Sequence, residues 1–160
     1  LLGGEMEGKT VKESSIVMTH PMSTLDANMS GNVHGGVIMR LVDEAGGAVA
    51  IRHTRTNVVT ASMDRMGFHN PVFIGNLLTL KASLNLVGRT SMEVGVHVQS
   101  EDLITGEIKH TASAYLTYVA LDENGKPKAV PPLILKTEEE IRRNREAQRR
   151  RDGRLRDRQK

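Results

Sequence analysis

The chain has 160 residues, enough for one domain with a hydrophobic core of its own. It contains no cysteine, which excludes a disulfide framework and thiolate chemistry and suits a reducing cytoplasm, and no apolar run approaches the roughly 18 residues of a membrane span. Net charge is +3, but residues 136–160 hold 11 of the 22 Lys+Arg and 6 of the 19 Asp+Glu, and aromatic residues are 2% of the chain; a near-neutral body with few stacking platforms argues against nucleic acid as a partner.

The opening Leu1–Glu5 precedes Met6 and reads as a remnant, with no signal peptide visible, so residues 1–9 are set aside as an N-terminal segment. "ESSIVMTH" (Glu13–His20) predicts a short strand with Ile16 and Met18 on one face. "PMSTLDANMSGN" then clusters Pro, Ser, Asp, Asn and Gly, which is turn chemistry. A helix follows from about Gly36 to His53, with Arg52 and His53 placed where cations oppose the macrodipole.

From Asn57 to Leu121 the pattern has period two. "NVVTASMDRMGF" (Asn57–Phe68) is one strand. "LLTLKASLNLV" (Leu77–Val87) sets Leu78, Leu80, Ala82, Leu84 and Leu86 against Thr79, Lys81, Ser83 and Asn85. "SMEVGVHVQS" sets Met92, Val94, Val96 and Val98 against Glu93, Gly95, His97 and Gln99, and "IKHTASAYLTYVAL" completes the set. These are half-buried antiparallel strands joined by "VGRTS" and "EDLITGE". One long helix beside about five such strands packs best when the sheet curls around the helix, an α+β arrangement. That domain spans residues 10–135. Residues 136–160 form a basic tail, helical to about Arg151 behind a Thr137/Glu140 capping box. With only Ile141 and Leu155 as sizeable apolar residues, the tail is expected to stay solvated and held by charge pairs; the sharper alternative is that its arginines help hold a polyphosphate.

The central helix poses the functional question. At 100° per residue, Val37, Ile38, Leu41, Val42, Ala45, Ala48 and Val49 form a buried stripe, while Asp43 lies opposite in line with Gly36, Gly47 and Ala50. A solvated face would favour Glu, Lys and Gln; small residues predict instead a second copy of the same helix across a two-fold axis. At the helix entry, Gly35 and Gly36 leave backbone N–H groups unobstructed at the positive end of the dipole, where they suit a carbonyl acquiring negative charge. Asn32 lies just upstream with an amide able to hold a water or a carbonyl. Asp43 is about 10.5 Å further along the axis, so a site using both ends is expected to be composite, with Asp43 of one chain beside the Gly35–Gly36 terminus of another. Arg40 can pair with Asp43 or Glu44, Glu44 reads as structural, and His34 is the one base candidate in the entry loop. His69 and His97 fall outside this cluster, and no metal-ligand spacing is present.

"ANMSGNVHGGVIMRLVDEAG" resembles the signature loop and helix of the hotdog-fold acyl-CoA thioesterases, in particular the bacterial and the cytosolic brain-type acyl-CoA hydrolases. The likeness extends over "MSTLDANMSGN", "VVTASMDRMGFHNPV", "VGRTSMEVGV" and "TEEEIRRNREAQRRR", roughly Thr10 to Glu140 and into the tail. It implies a catalytic carboxylate at Asp43, a catalytic role for Asn32, carbonyl polarisation at Gly35 and Gly36, and a place near the nucleotide end of coenzyme A for Gly88, Arg89, Thr90 and Ser91. It implies an acyl-CoA substrate with coenzyme A as part of substrate and product, no separate cofactor, and a homo-oligomer, at least a dimer and commonly a hexamer built as a trimer of dimers. "GNL" at Gly75–Leu77 departs from the Gly-Asp common in relatives, which affects a turn. Two rival functions stay open: a hydroxyacyl dehydratase on the same fold, with His34 as base, and a non-catalytic acyl-CoA sensor.

Overall fold

The structure, a computed structural model, describes residues 5–160, so most of the expected N-terminal remnant lies outside the described residues. In chain order it contains β1 (Lys9–Thr10), a one-turn α1 (Val11–Ser14), β2 (Ile16–Pro21), a 3-10 turn (Thr24–Asp26), α2 (Gly35–Thr54), β3 (Asn57–Phe68), β4 (Leu77–Val87), β5 (Ser91–Glu101), β6 (Ile108–Leu121), β7 (Leu133–Ile134) and α3 (Glu138–Asp157). The five long strands form one antiparallel sheet in the order β2-β4-β5-β6-β3, with β3 at an open edge.

The period-two pattern dictates the sheet. Leu78, Leu80, Ala82 and Leu84 face the same side as Val94, Val96 and Val98, and all are buried against α2. The helix contributes Ile38, Leu41, Val42, Ala45 and Val49 and touches all five strands. Burial on that scale, at about 25 cal/mol per Å² of apolar surface, dominates the favourable side of folding. β3 is irregular: its register against β6 slips between Thr60 and Ser62 and again between Asp64 and Gly67, with Arg65 at φ 45°. Such bulges re-aim side chains on an edge strand.

Five expectations change. Leu86 stands on the outer face beside Glu93, because a bulge between Leu84 and Leu86 reverses the alternation. Glu13 is not in a strand; with Thr10 it forms the capping box of α1, and the strand starts at Ile16. Ala50 is fully buried rather than on the open face, because the curved sheet covers more of the helix than one stripe. His53 is buried too: its Nε2 lies 2.8 Å from Pro131 O, so it is a core residue and not a cation at the helix end. The tail is docked rather than solvated. α3 lies on the outer face of the sheet, where Ala147 is buried, Asn144 Nδ2 donates to Asn85 O at 2.9 Å, and Arg150 binds Glu93 through Nη2–Oε1 at 2.7 Å and Nε–Oε2 at 3.2 Å. Arg154 adds an ion pair to Asp64 at 2.6 Å. A polar clasp replaces the missing apolar stripe, and it explains why Glu93, placed on the solvated face by alternation, is only 2% exposed.

Candidate active site

Asp43 sits in the middle of α2, half-buried, with its carboxylate held by two hydroxyls. Thr60 Oγ1 of β3 donates to Asp43 Oδ1 at 2.8 Å, and the Tyr118 hydroxyl of β6 lies 3.0 Å from both Asp43 Oδ1 and Asp43 O. Tyr118 is fully buried, and burial first, then the Asp43 charge, pushes its phenol well above the ordinary tyrosine range. It therefore remains a donor at any physiological pH. Hydrogen bonds of this kind fix the position of the carboxylate. Arg40 does not compete, because its guanidinium pairs with Glu44 at 2.8 Å on the exposed face.

At the other end of the helix, Val37 N–H and Ile38 N–H both turn back to His34 O, while the N–H groups of Gly35 and Gly36 have no acceptor among the described residues. His34 occupies the N-cap position without capping through its side chain, and is exposed. Gly36 has open space where a side chain would stand; Gly35 faces the ring of Phe68, 3.5 Å from its missing Cβ. A groove of about 320 Å³ opens here, walled by Asn28, Asn32, Val33, Gly35, Ile38, Phe68 and His69. Asn28 Oδ1 accepts from Ser30 N–H at 2.9 Å and Asn32 N–H at 3.1 Å, which leaves its NH2 as the group free to bind. The structure thus joins Asn32 and Gly35 in one groove, leaves Gly36 beside it but outside its wall, and keeps Asp43 seven residues beyond Gly36 on the same helix.

Gly88–Ser91 forms the tight turn between β4 and β5, closed by Gly88 N–H donating to Ser91 O at 2.7 Å. Gly88 and Ser91 wall a cavity of about 210 Å³ on the outer face, together with Thr117, Arg151, Arg154, Leu155 and Arg158; Arg89 and Thr90 are not in its wall. Among the described residues no cluster of three or more His, Cys, Asp or Glu is placed to hold a metal. No helix is long and apolar enough to cross a membrane.

Residues 30–107 match the thioesterase superfamily model. An acyl-CoA thioester hydrolase of Bacillus subtilis, YkhA, described as uncharacterized, is 42% identical over 135 residues, covering 84% of this chain and 78% of that one. The chain belongs to the acyl-CoA thioester hydrolase family. A mouse cytosolic acyl coenzyme A thioester hydrolase is 40% identical over 139 residues, 86% of this chain, but the chain spans only 36% of that relative's length. The crystal structure of an apo hexameric acyl-CoA thioesterase superposes with a TM-score of 0.91 at 38% identity, covering 94% of this chain and 97% of that one. Acyl-CoA hydrolase from Staphylococcus aureus, in complex with butyryl coenzyme A, coenzyme A and coenzyme A disulfide, superposes at 0.83 and 32% identity, covering 94% of each chain. That hydrolase has also been solved with alanine replacing an aspartate, an asparagine fifteen residues before it and a threonine seventeen residues after it.

In this acyl-CoA hydrolase-family chain, sequence reasoning missed three site residues. Tyr118 and Thr60 are ordinary strand residues by pattern; only the three-dimensional pairing of β3 with β6 delivers both to Asp43. Asn28 carried a usable signal, since an Asx turn in "DANMSGN" pins its carbonyl oxygen and presents its NH2. His69, set outside the cluster, in fact walls the groove and stacks on His110 with ring centroids 4.8 Å apart.

Proposed function

We propose that the chain hydrolyses acyl-CoA thioesters to a free fatty acid and coenzyme A, at a site shared between two subunits. The observation that carries this reading is the Asp43 carboxylate, clamped by Thr60 and Tyr118 on the less covered side of a helix whose first two N–H groups are free. The thioester carbonyl oxygen accepts from Gly35 and Gly36 of one subunit. Asp43 of the other takes a proton from water as the water oxygen bonds to the carbonyl carbon; the tetrahedral intermediate then collapses, the C–S bond breaks, and Asp43 returns that proton to the leaving sulfur, giving the free acid and the coenzyme A thiol. Within one chain the helix rise puts about 10.5 Å between Gly36 and Asp43, too far for one reacting centre, so the antiparallel pairing of two helices is what brings the groups together. The hexameric relative supports a homo-oligomer; the shared site requires at least a dimer, and a trimer of dimers is the hexamer that keeps that pair.

Asn28 and Asn32 orient the water or the carbonyl from the groove wall. Asn28 gains weight from the Staphylococcus aureus variants, because Asn28, Asp43 and Thr60 here are the same residue types at the same spacing as the three replaced there. Gly88 to Ser91 lie at the nucleotide end of coenzyme A. The chemistry uses only the chain's own residues and water, and the cytosolic mouse relative supports a cytoplasmic location. A thiol-release assay over acyl-CoAs of graded length tests the reading: turnover by the wild type, with Asp43→Ala losing it, is expected. Ligand binding with no thiol released from any of them would point to a sensor instead, and loss of activity in His34→Ala with Asp43→Ala unaffected would point to a dehydratase.

A further inference from the structure

Phe68 ends the edge strand β3 and supplies the one phenyl ring in the wall of the 320 Å³ groove at the head of α2. The residue is 49% exposed, although phenylalanine is a residue that folding normally buries. The tip of its ring rests on the helix entry, with Cζ 3.5 Å from where a Cβ on Gly35 would stand. Gly35 carries one of the two free N–H groups, so the ring lies beside any carbonyl held there.

The segment that presents the ring is pinned. Phe68 pairs with Ala112 of β6, His69 N–H donates to Thr111 O at 2.7 Å, and Asn70 Nδ2 donates to His110 O at 2.7 Å. The His69 ring stacks on His110, and His110 in turn stacks on His97 with centroids 4.4 Å apart. The facing wall is tied to the same stretch of chain: Val33 N–H donates to Val72 O at 2.8 Å, and Asn32 makes an antiparallel bridge to Phe73. Walls fixed in this way form a stop rather than a flap, and they keep the ordering cost of binding low.

The floor of the groove is closed. Val33, Ile38 and Val72 are buried in the core cluster, so the groove does not continue between α2 and the sheet. Asn28, Asn32, His69 and Asn70 make the rim polar. Uncovered apolar surface is therefore concentrated on Phe68. The volume stands at the small end of ligand sites, and the thioester itself takes part of it.

We propose that Phe68 sets acyl-chain length: the first carbons of the acyl group lie against its ring, the ring ends the channel, and the site reads short acyl groups of up to about eight carbons. The proposal rests on the acyl-CoA hydrolase reading above, since it takes the carbonyl to be held at Gly35 and Gly36. Each methylene that finds room in the groove is worth about fourfold in kcat/KM, the value of one buried CH2. Beyond the stop, further methylenes stay in water and add nothing.

The test measures kcat/KM for straight-chain substrates from acetyl-CoA to palmitoyl-CoA in the wild type, Phe68→Ala, Phe68→Leu and Phe68→Trp. The wild-type value is expected to climb with each carbon and to stop rising by about eight. Phe68→Ala moves that limit to longer chains and Phe68→Trp to shorter ones, through KM, with acetyl-CoA changed least. Phe68→Leu, closer in volume, shifts the limit in the direction of Phe68→Ala and keeps the test readable if Phe68→Ala folds poorly. A ring that only supports the fold or seats a second subunit would depress every chain length alike, and that result overturns the proposal. So does a wild-type profile still rising at palmitoyl-CoA.

The chain contains no tryptophan, so Phe68→Trp also places a single fluorophore in the groove. In an Asp43→Ala background, which leaves the thioester intact, hexanoyl-CoA is expected to shift its emission to the blue, while coenzyme A leaves it unchanged. No shift with any chain length overturns the proposal. This readout needs binding but no turnover: a chain-length-dependent shift in a protein whose wild type hydrolyses no acyl-CoA keeps the groove while the hydrolase reading falls.

Discussion

A β-carbon on Gly46 would stand 2.5 Å from the hydroxyl oxygen of Tyr118. This contact answers why a helix accepts a residue that costs about 1 kcal/mol relative to alanine. The phenol reaches Asp43 only because the helix has no side chain at the turn above it. Gly46→Ala is therefore expected to push Tyr118 off Asp43, lowering both Tm and kcat, with a stability cost of about 1–3 kcal/mol from overpacking. Gly47 differs: the nearest ring atom is 3.8 Å from its missing Cβ, so Gly47→Ala fits within one chain. If two helices pair on that face, Gly47→Ala should weaken assembly in sedimentation while leaving the fold of each chain intact.

Removing the carboxylate should reduce turnover far more than substrate affinity. Asp43→Ala is expected to drop kcat by about 10²–10⁴-fold, the usual worth of a positioned general base. Tyr118→Phe and Thr60→Val each delete one donor to Asp43 and leave the carboxylate in place. Each should cost less than Asp43→Ala, and the two together less than the product of their separate losses, because both hold one group. Steady-state kinetics of the three single variants and the double variant measures this.

The two asparagines of the entry loop should separate. Asn28 is clamped through Oδ1 by two backbone N–H groups, while Asn32 has no side-chain hydrogen bond among the described residues. Preorganised donors contribute more than mobile ones. Asn28→Ala is expected to lose more kcat than Asn32→Ala, and also to loosen the loop that presents Gly35 and Gly36. A proteolysis rate at the 23–34 loop reports the second effect; a larger kinetic loss in Asn32→Ala would reverse the assignment of the amide.

How much of this was legible beforehand follows from how each signal is encoded. The helix and the four long strands after it carry their period in every second or third residue, so their limits agree with the structure to within a residue. Asp43 and the paired glycines were legible because they break that period: an acid and two glycines on the open flank of a helix demand a reason. Tyr118 and Thr60 obey the period and give no sign of their role until β3 is laid beside β6. The two-residue strands β1 and β7 are too short to show any period, and their parallel pairing joins residues more than a hundred positions apart. The docking of α3 was hidden because an apolar-stripe argument cannot see a helix held by ion pairs.

That clasp is testable at its buried member. Glu93 is 2% exposed and takes Arg150 through two bonds, with Asn85 Nδ2 donating to Oε1 at 3.2 Å. Breaking a buried pair by removing one partner leaves the other charge uncompensated, at about 3–5 kcal/mol. Glu93→Ala is expected to lower the unfolding midpoint and to release α3, read as faster amide exchange across residues 138–157 and new proteolytic cuts there. Unchanged exchange in α3 would show that Ala147 and Asn144 hold the helix without the ion pair.

Acid stability should depend on His53. Its Nε2 faces Pro131 O, which can only accept, so Nε2 carries the proton and Nδ1 is left bare, buried and without a partner. Burial is the main reason its pKa lies below the ordinary histidine value, with Lys9, whose ammonium binds His53 O at 2.8 Å, acting in the same direction. A folded-state pKa below the unfolded one means that the unfolded chain binds the proton first. Stability is then complete above about pH 6.5 and declines as the pH falls through the window between the two values, by at most about 1.4 kcal/mol per pH unit for one group. Urea midpoints at pH 7.5 and 5.0 should therefore differ less in His53→Leu than in the wild type. If His53→Leu keeps the full wild-type pH dependence, the buried imidazole is not its source.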